Sequence, residues 1–185
     1  MRLKKPRIEP LNPSDMTPEV RDLVAPSGGA IGLDGVPNVI ATLAQHPKLL
    51  KRWNVFSNHI LFKSTLPPRE REILILRIGW LCRAEYEWGQ HVRIGKAAGL
   101  DDAAVARIKQ GPDAAGWDPF EATLVRAVDE LHEDAIISDA TWEALSKRYD
   151  RHQLMDVVFT VGQYNLVSMA LNTFGVQLDE GVAGF

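Results

Sequence analysis

Glu87 and His91 stand four residues apart in the stretch Ala84-Glu85-Tyr86-Glu87-Trp88-Gly89-Gln90-His91. On an α-helix that spacing stacks both side chains on one face, one turn apart. A carboxyl beside an imidazole is a simple acid–base pair for moving a proton near neutral pH. Glu72, a second acid, sits near the start of an unusually apolar segment upstream, and the aromatics Tyr86 and Trp88 flank Glu87. Acid, base and aromatic wall in so short a segment lead to the expectation of a small proton-transfer pocket. In that pocket Glu87 orients and charges His91, and Glu72 holds the other ring nitrogen or acts through water. Tyr86 and Trp88 lie on either side of Glu87, so at most one of them lines its pocket.

Other residues compete with plainer roles. His59 follows Asn58 on an amphipathic segment; it is a candidate for substrate contact or an ordinary satisfied histidine. Tyr164 and Asn165 fall mid-helix among apolar residues, where an asparagine needs a partner for its amide. They either line the pocket or satisfy buried backbone, and Asn172, two turns on, shares their face. His46 precedes Pro47 at a helix break and reads as structural; His132 and His152 read as solvated. His59, His91, Glu72 and Glu87 suit a metal by ligand type, but no close histidine pair supports a metal site, so none is expected. The single cysteine, Cys82, excludes an internal disulfide and a cysteine-based zinc cluster within the chain, and reads as a buried, inert thiol.

The 185 residues suit one domain with an N-terminal arm, and 45% hydrophobic with 24% charged residues is the balance of a soluble globular chain. A net charge of −3 without a basic helix face argues against nucleic acid as a partner. The apolar runs read as too interrupted to span a bilayer, and the basic start lacks the apolar core of a signal peptide. A cytoplasmic location follows as the expectation.

Residues 1–37 are rich in Pro and Gly and read as an arm with one short helix near Thr17 to Leu23, capped by Thr17 with Pro18 in the first helical position. Gly28, Gly29 and Gly32 are too sparse for a phosphate loop. From residue 38 to 185 the pattern is helical. A short face through Val39, Ile40 and Leu43 precedes an amphipathic helix through Leu49, Trp53, Phe56 and Ile60. Arg69 to Cys82 is apolar on nearly every side, which marks a central helix. Further helices are expected over Ala84–Gly99, Asp101–Gln110, Phe120–Glu133, from Ser138 or Asp139 to Tyr149, and over Arg151–Phe174. Trp53, Trp80, Trp117 and Trp142 read as core or interface anchors. The fold class is an all-α helical bundle.

Arg69-Glu70-Arg71-Glu72-Ile73-Leu74-Ile75-Leu76-Arg77, Ala84-Glu85-Tyr86-Glu87-Trp88, His91, Val161-Gly162-Gln163-Tyr164-Asn165 and Leu171-Asn172-Thr173-Phe174-Gly175-Val176 together resemble the carboxymuconolactone decarboxylase family, which includes the alkylhydroperoxidase D type. The resemblance covers Asn38 to Leu178 and implies an alkylhydroperoxidase D-like bundle. The family's peroxidase branch carries a Glu, a Cys-x-x-Cys and a His; by spacing these fall on Glu72, on Ala84 and Glu87, and on His91. Both redox thiols are therefore replaced, Cys82 is out of register, and a thiol cycle lacks its resolving partner. The decarboxylase side of the family then implies a cofactor-independent lyase acting on a small, aromatic-derived carboxylate or lactone, with His91, Glu87 and Glu72 catalytic. The alternatives are a redox protein and a non-catalytic oligomeric binding module. A homo-oligomer is expected, as dimer, trimer or hexamer; the apolar central helix and the arm point the same way.

Overall fold

The computed structural model describes residues 3–25 and 35–185. The reading of Gly28, Gly29 and Gly32 lies outside the described residues. Among the described residues the structure is helical without strands. We number the α-helices α1 (Pro18–Val24), α2 (Asn38–Leu43), α3 (Pro47–Asn58), α4 (Pro68–Leu81), α5 (Glu85–Ala97), α6 (Asp102–Gln110), α7 (Pro119–Asp134), α8 (Asp139–Ser146) and α9 (Arg151–Phe174).

Local chemistry sets the helix ends. Thr17, Asp101, Asp118 and Ser138 each accept a backbone N–H of the first turn they precede. Asp150 and Gln153 form a reciprocal capping box at the start of α9. His46 accepts the Leu49 N–H, so the break at His46-Pro47 restarts a helix. Gly175, with φ of +70°, terminates α9 in the left-handed conformation glycine adopts without penalty. A π-helical turn, His59–Lys63, extends α3 and widens it beside the cavity described below.

Helix α4 is the central strut. Its residues from Glu70 to Gly79 are buried, and it packs against α5, α7 and α9. The segment is not purely apolar, and its buried charges are paired. Arg77 grips Asp129 of α7 through Nε at 2.6 Å and Nη2 at 2.8 Å, and donates to the Ile108 and Lys109 carbonyls at the end of α6. Glu70 accepts from Arg148 and Tyr149. Helices α6 and α7 and the turn that follows α8 are thereby pinned to α4 by ions that are costly to leave unpaired.

The ends of the chain fold back on the bundle. The arm runs past the end of α9, where the Arg7 N–H donates to the Phe174 carbonyl at 2.7 Å. Met16, Val20 and Val24 pack with Ile40, Ala41 and Leu50 in a small second core. At the other end, Asp179 accepts from the Asn38 N–H at 2.8 Å and from Gln90 Nε2 at 2.6 Å.

One expectation changes. Helix α9 is, by length and composition, long and apolar enough to cross a membrane. Here it packs along α4 with 44% of its most apolar window buried, as the core helix of a bundle does.

Candidate active site

Helix α5 places Tyr86, Glu87, Gln90, His91 and Ile94 along one face, following the three- and four-residue spacing of a helix. That face forms a wall of a cavity of about 380 Å³ closed by α1, α2, α3, the π-helical turn and α9. The volume falls in the range of small-molecule sites.

Behind this wall sits Glu72, which is 0% exposed. Its Oε2 lies 2.7 Å from His91 Nδ1, and its Oε1 accepts from Arg71 Nε at 3.1 Å. Arg71 Nη2 is also 3.1 Å from Oε1. With Nδ1 engaged by a carboxylate, Nε2 is the imidazole nitrogen left for a ligand. The His91 ring meets Tyr164 edge-on, centroids 4.8 Å apart.

The carboxyl of Glu87 does not orient His91, contrary to the expectation from their spacing. It is buried against α4 and α9, where Ser168 Oγ donates to its Oε2 at 2.8 Å. Among the described residues its Oε1 has no hydrogen-bond partner. A Cβ at Gly79 would stand 2.8 Å from that oxygen, so the glycine makes room for the carboxyl. Burial pushes the Glu87 carboxyl well above its ordinary value, the Ser168 hydrogen bond opposes this, and the nearby Glu72 adds to it. Burial thus favours the protonated form of Glu87. Burial, then Glu72 and Glu87, likewise raise the Tyr164 phenol, and burial with the Asp179 carboxylate raises that of Tyr86.

The remaining expected residues divide. Tyr86 and Tyr164 line the cavity. Tyr86 donates to Asp179 and accepts the Val39 N–H, so it also ties α5 to α2. Trp88 does not reach the cavity. It is turned roughly 100° from Glu87 about the helix axis, on the side away from Tyr86. There it packs with Trp80 at 5.5 Å and Phe185 at 5.8 Å. His59 is outside as well, exposed and 3.8 Å from Asp156, although the preceding Asn58 lines the wall. Asn165 also lies off the cavity and accepts from Cys82 Sγ at 3.1 Å. Asn172 donates to the Cys82 carbonyl at 2.9 Å. Both amides thus serve the end of α4. Cys82 is half-buried rather than fully buried and does not line the cavity.

Sequence reasoning missed Trp53, Ser57, Gln90 and Ser168. Trp53 read as a core anchor, yet it lines the cavity. Ser168 lies 81 residues from Glu87, and only the fold joins them. Among the described residues no group of three or more His, Cys, Asp or Glu is placed to hold a metal ion.

The model of the Carboxymuconolactone decarboxylase family matches residues 47–130, which contain Glu72, Glu87 and His91. No curated protein is a significant match to the sequence. Among solved structures, an alkylhydroperoxidase AhpD core, a peroxidase-related protein from Ralstonia eutropha JMP134, aligns with a TM-score of 0.83 at 17% identity over 95% of this chain and 93% of that one. A peroxidase-related protein from Silicibacter sp. TM1040 aligns with a TM-score of 0.79 at 17% identity over 98% and 93%. A variant of the debrominase Bmp8, in complex with 2,3,4-tribromopyrrole, aligns with a TM-score of 0.78 at 13% identity over 96% and 94%. The helical architecture and the family match agree: residues 47–130 match the carboxymuconolactone decarboxylase family, and the chain has the all-α fold of the alkylhydroperoxidase D-like structures.

Proposed function

We propose that this chain is a cofactor-independent lyase of the carboxymuconolactone decarboxylase kind, acting on a small ring substrate that carries a carbonyl group. The observation that carries this reading is the arrangement around His91. Glu72 holds Nδ1 from behind, and Glu87 lines the same cavity one turn away, its carboxyl turned toward Ser168 and Gly79. An imidazole oriented by a buried carboxylate and facing a small-molecule cavity is what carbon-acid chemistry needs. His91 Nε2 takes a proton from the carbon next to the carbonyl, and the C–H electron pair moves onto the carbonyl as an enolate. Turnover is completed when His91 returns the proton to carbon, or when the enolate electron pair forms a C=C bond as the bond to a leaving group on the adjacent carbon breaks and that group takes the proton from His91. Tyr164 packs on the His91 ring as a positioning residue. The tribromopyrrole bound to the debrominase is a small ring of a size such a cavity accommodates.

The peroxidase-related neighbours raise a thiol cycle as the competing reading. It requires two cysteines, and this sequence has one, placed off the cavity.

The test is hydrogen–deuterium exchange at carbon. Small cyclic ketones and lactones are incubated with the protein in D2O and followed by NMR. The wild type is expected to catalyse exchange, and His91→Ala to slow it by roughly 10²–10⁴-fold. Wild-type exchange in His91→Ala, or no catalysed exchange with any of these compounds, overturns the reading.

We also place the protein in the cytoplasm as a homo-oligomer, with the outer face of α9 as the contact between copies. This face exposes Met155, Phe159, Leu166 and Met169. No charged residue occurs between Asp156 and Asp179. The pattern is self-complementary about Gly162: Met155 lies seven residues before it and Met169 seven after, and Val158 and Leu166 lie four to either side. A two-fold axis through Gly162 brings the two halves of one stripe onto each other, as an isologous contact requires.

A further inference from the structure

We infer that the reacting ring carries a hydrocarbon tail, and that this tail lies in a second, apolar cavity that continues the first along the groove between α3 and α9. The inference rests on the carbonyl-ring reading of the His91 cavity and adds what is attached to the ring.

The second cavity has a volume of about 190 Å³. Val39, Trp53, Val167 and Leu171 line both spaces. These four residues come from α2, α3 and α9, so the cavities adjoin on three helices at once. Helices α3 and α9 run side by side in opposite directions. Phe56 meets Phe159 edge-on toward one end of the pair, ring centroids 6.0 Å apart, while Leu49 and Phe174 both border the second cavity toward the other. The groove between them changes character along its length. Beside His91 and Tyr164, α3 contributes Asn54, Ser57 and Asn58. In the second cavity α3 contributes Leu49, α2 contributes Leu43, and α9 contributes Leu166, Ala170 and Phe174. Thr42 brings the single hydroxyl of that lining, and its oxygen is itself buried. The space therefore presents hydrocarbon.

A polar group placed there loses its hydration and finds no partner. A hydrocarbon chain gains from every methylene it removes from water. Tyr164 stands against the His91 ring. At 1.5 Å per residue Ala170 lies about 9 Å farther along α9, a length that a linear tail of roughly six carbons spans. Leu49 and Leu166 are exposed, so the far end of the groove opens to water and a longer chain gains little more.

The experiment titrates the full-length wild type with five-membered γ-lactones bearing methyl, butyl, hexyl and octyl side chains, followed by protein-detected NMR. Affinity is expected to rise about two- to fourfold per methylene as far as hexyl, and to change by less than about twofold from hexyl to octyl. Ala170→Phe, which fills the second cavity, is expected to bring the methyl and hexyl lactones within about threefold of each other. In the wild type, nuclear Overhauser contacts from the terminal methyl of the hexyl chain are expected at Leu49 and Ala170, a readout that needs no variant to fold. A flat series or no binding in the wild type, as when the side chains of a second copy fill the groove, overturns the inference. So do terminal-methyl contacts elsewhere in the protein, and so does a length dependence that Ala170→Phe leaves intact. Length-dependent binding without proton exchange at carbon disproves the catalytic reading alone. Exchange at carbon with a flat series disproves this inference alone.

Discussion

The two faces of α5 carry different kinds of order. On the cavity face, each buried polar residue has a partner far away in sequence: His91 on Glu72, Glu87 on Ser168, and Tyr86 and Gln90 on Asp179. On the opposite face, Trp88 packs with Trp80 and Phe185, and the Lys109 ammonium lies 4.9 Å from the Trp88 ring and 5.0 Å from that of Trp80. The first face fixes directions, because hydrogen bonds are specific in angle and partner. The second supplies area and cation–π attraction, which stabilise without aiming any group at a ligand. Residues one position apart on the same helix therefore differ in what they contribute.

The largest effect that sharpens this contrast is Trp88→Ala. The side chain is 2% exposed, and its removal is expected to cost about 3–5 kcal/mol in urea unfolding. Exchange at carbon per folded molecule is expected to stay at the wild-type rate. A large loss of that rate, in protein confirmed as folded, removes the distinction between the faces.

That contrast also marks how far the sequence alone carries. The four-residue spacing of Glu87 and His91 was legible, as were the nine helices of the described residues and caps such as Thr17, because capping and periodicity are local properties. The orientation of Tyr86 against Trp88 was not. It depends on Gln90 and Ile94 sharing the cavity face, and nothing about those two residues in sequence announces a cavity. The partner of His91 was legible only as a choice between two acids. Glu87 is nearer in sequence, but Gly79 and Ser168 draw its carboxyl away, and Glu72 arrives from α4 to take the ring nitrogen. Similarly, nothing local to α3 separated Trp53, which lines the cavity, from the tryptophans that serve as anchors elsewhere.

A second test compares Glu87 with a buried carboxylate outside the site. Asp156 feels burial too, but three hydrogen bonds from Thr65 and Ser64 outweigh it and hold the carboxyl below its ordinary value. The two groups act on stability with opposite sign. Glu87 keeps a proton that the unfolded chain releases. Its contribution is complete below the ordinary carboxyl value and is lost as pH rises from there toward its folded value. Asp156 contributes above the ordinary value, and that contribution is lost as pH falls through its folded value. Glu87→Gln keeps the shape and removes the titration. Its urea midpoint is expected to gain on the wild type steadily as pH is raised from 5 to 8, while Asp156→Asn is expected to cost most at neutral pH and least in acid. A constant gap between wild type and Glu87→Gln across that range contradicts a protonated Glu87.

The smallest effect expected belongs to Gly162→Ala, and its sign is the informative part. Gly162 lies within α9, and a Cβ there would meet nothing within 4 Å in a single copy. In an isolated chain the change is expected to stabilise the helix by about 0.5–1 kcal/mol, since glycine gives up more backbone freedom on folding than alanine. In an assembly with the two-fold axis through Gly162, the same methyl falls where two helices cross and holds them apart. Light scattering over a dilution series separates the cases. Dissociation of the variant at concentrations where the wild type stays assembled, together with a small gain in unfolding stability of the dissociated chain, places the contact on this stripe. An unchanged assembly moves the interface to another surface. The exposed Met155, Phe159, Leu166 and Met169 then need a different occupant, because the packing of α4 against the inner side of α9 leaves them uncovered.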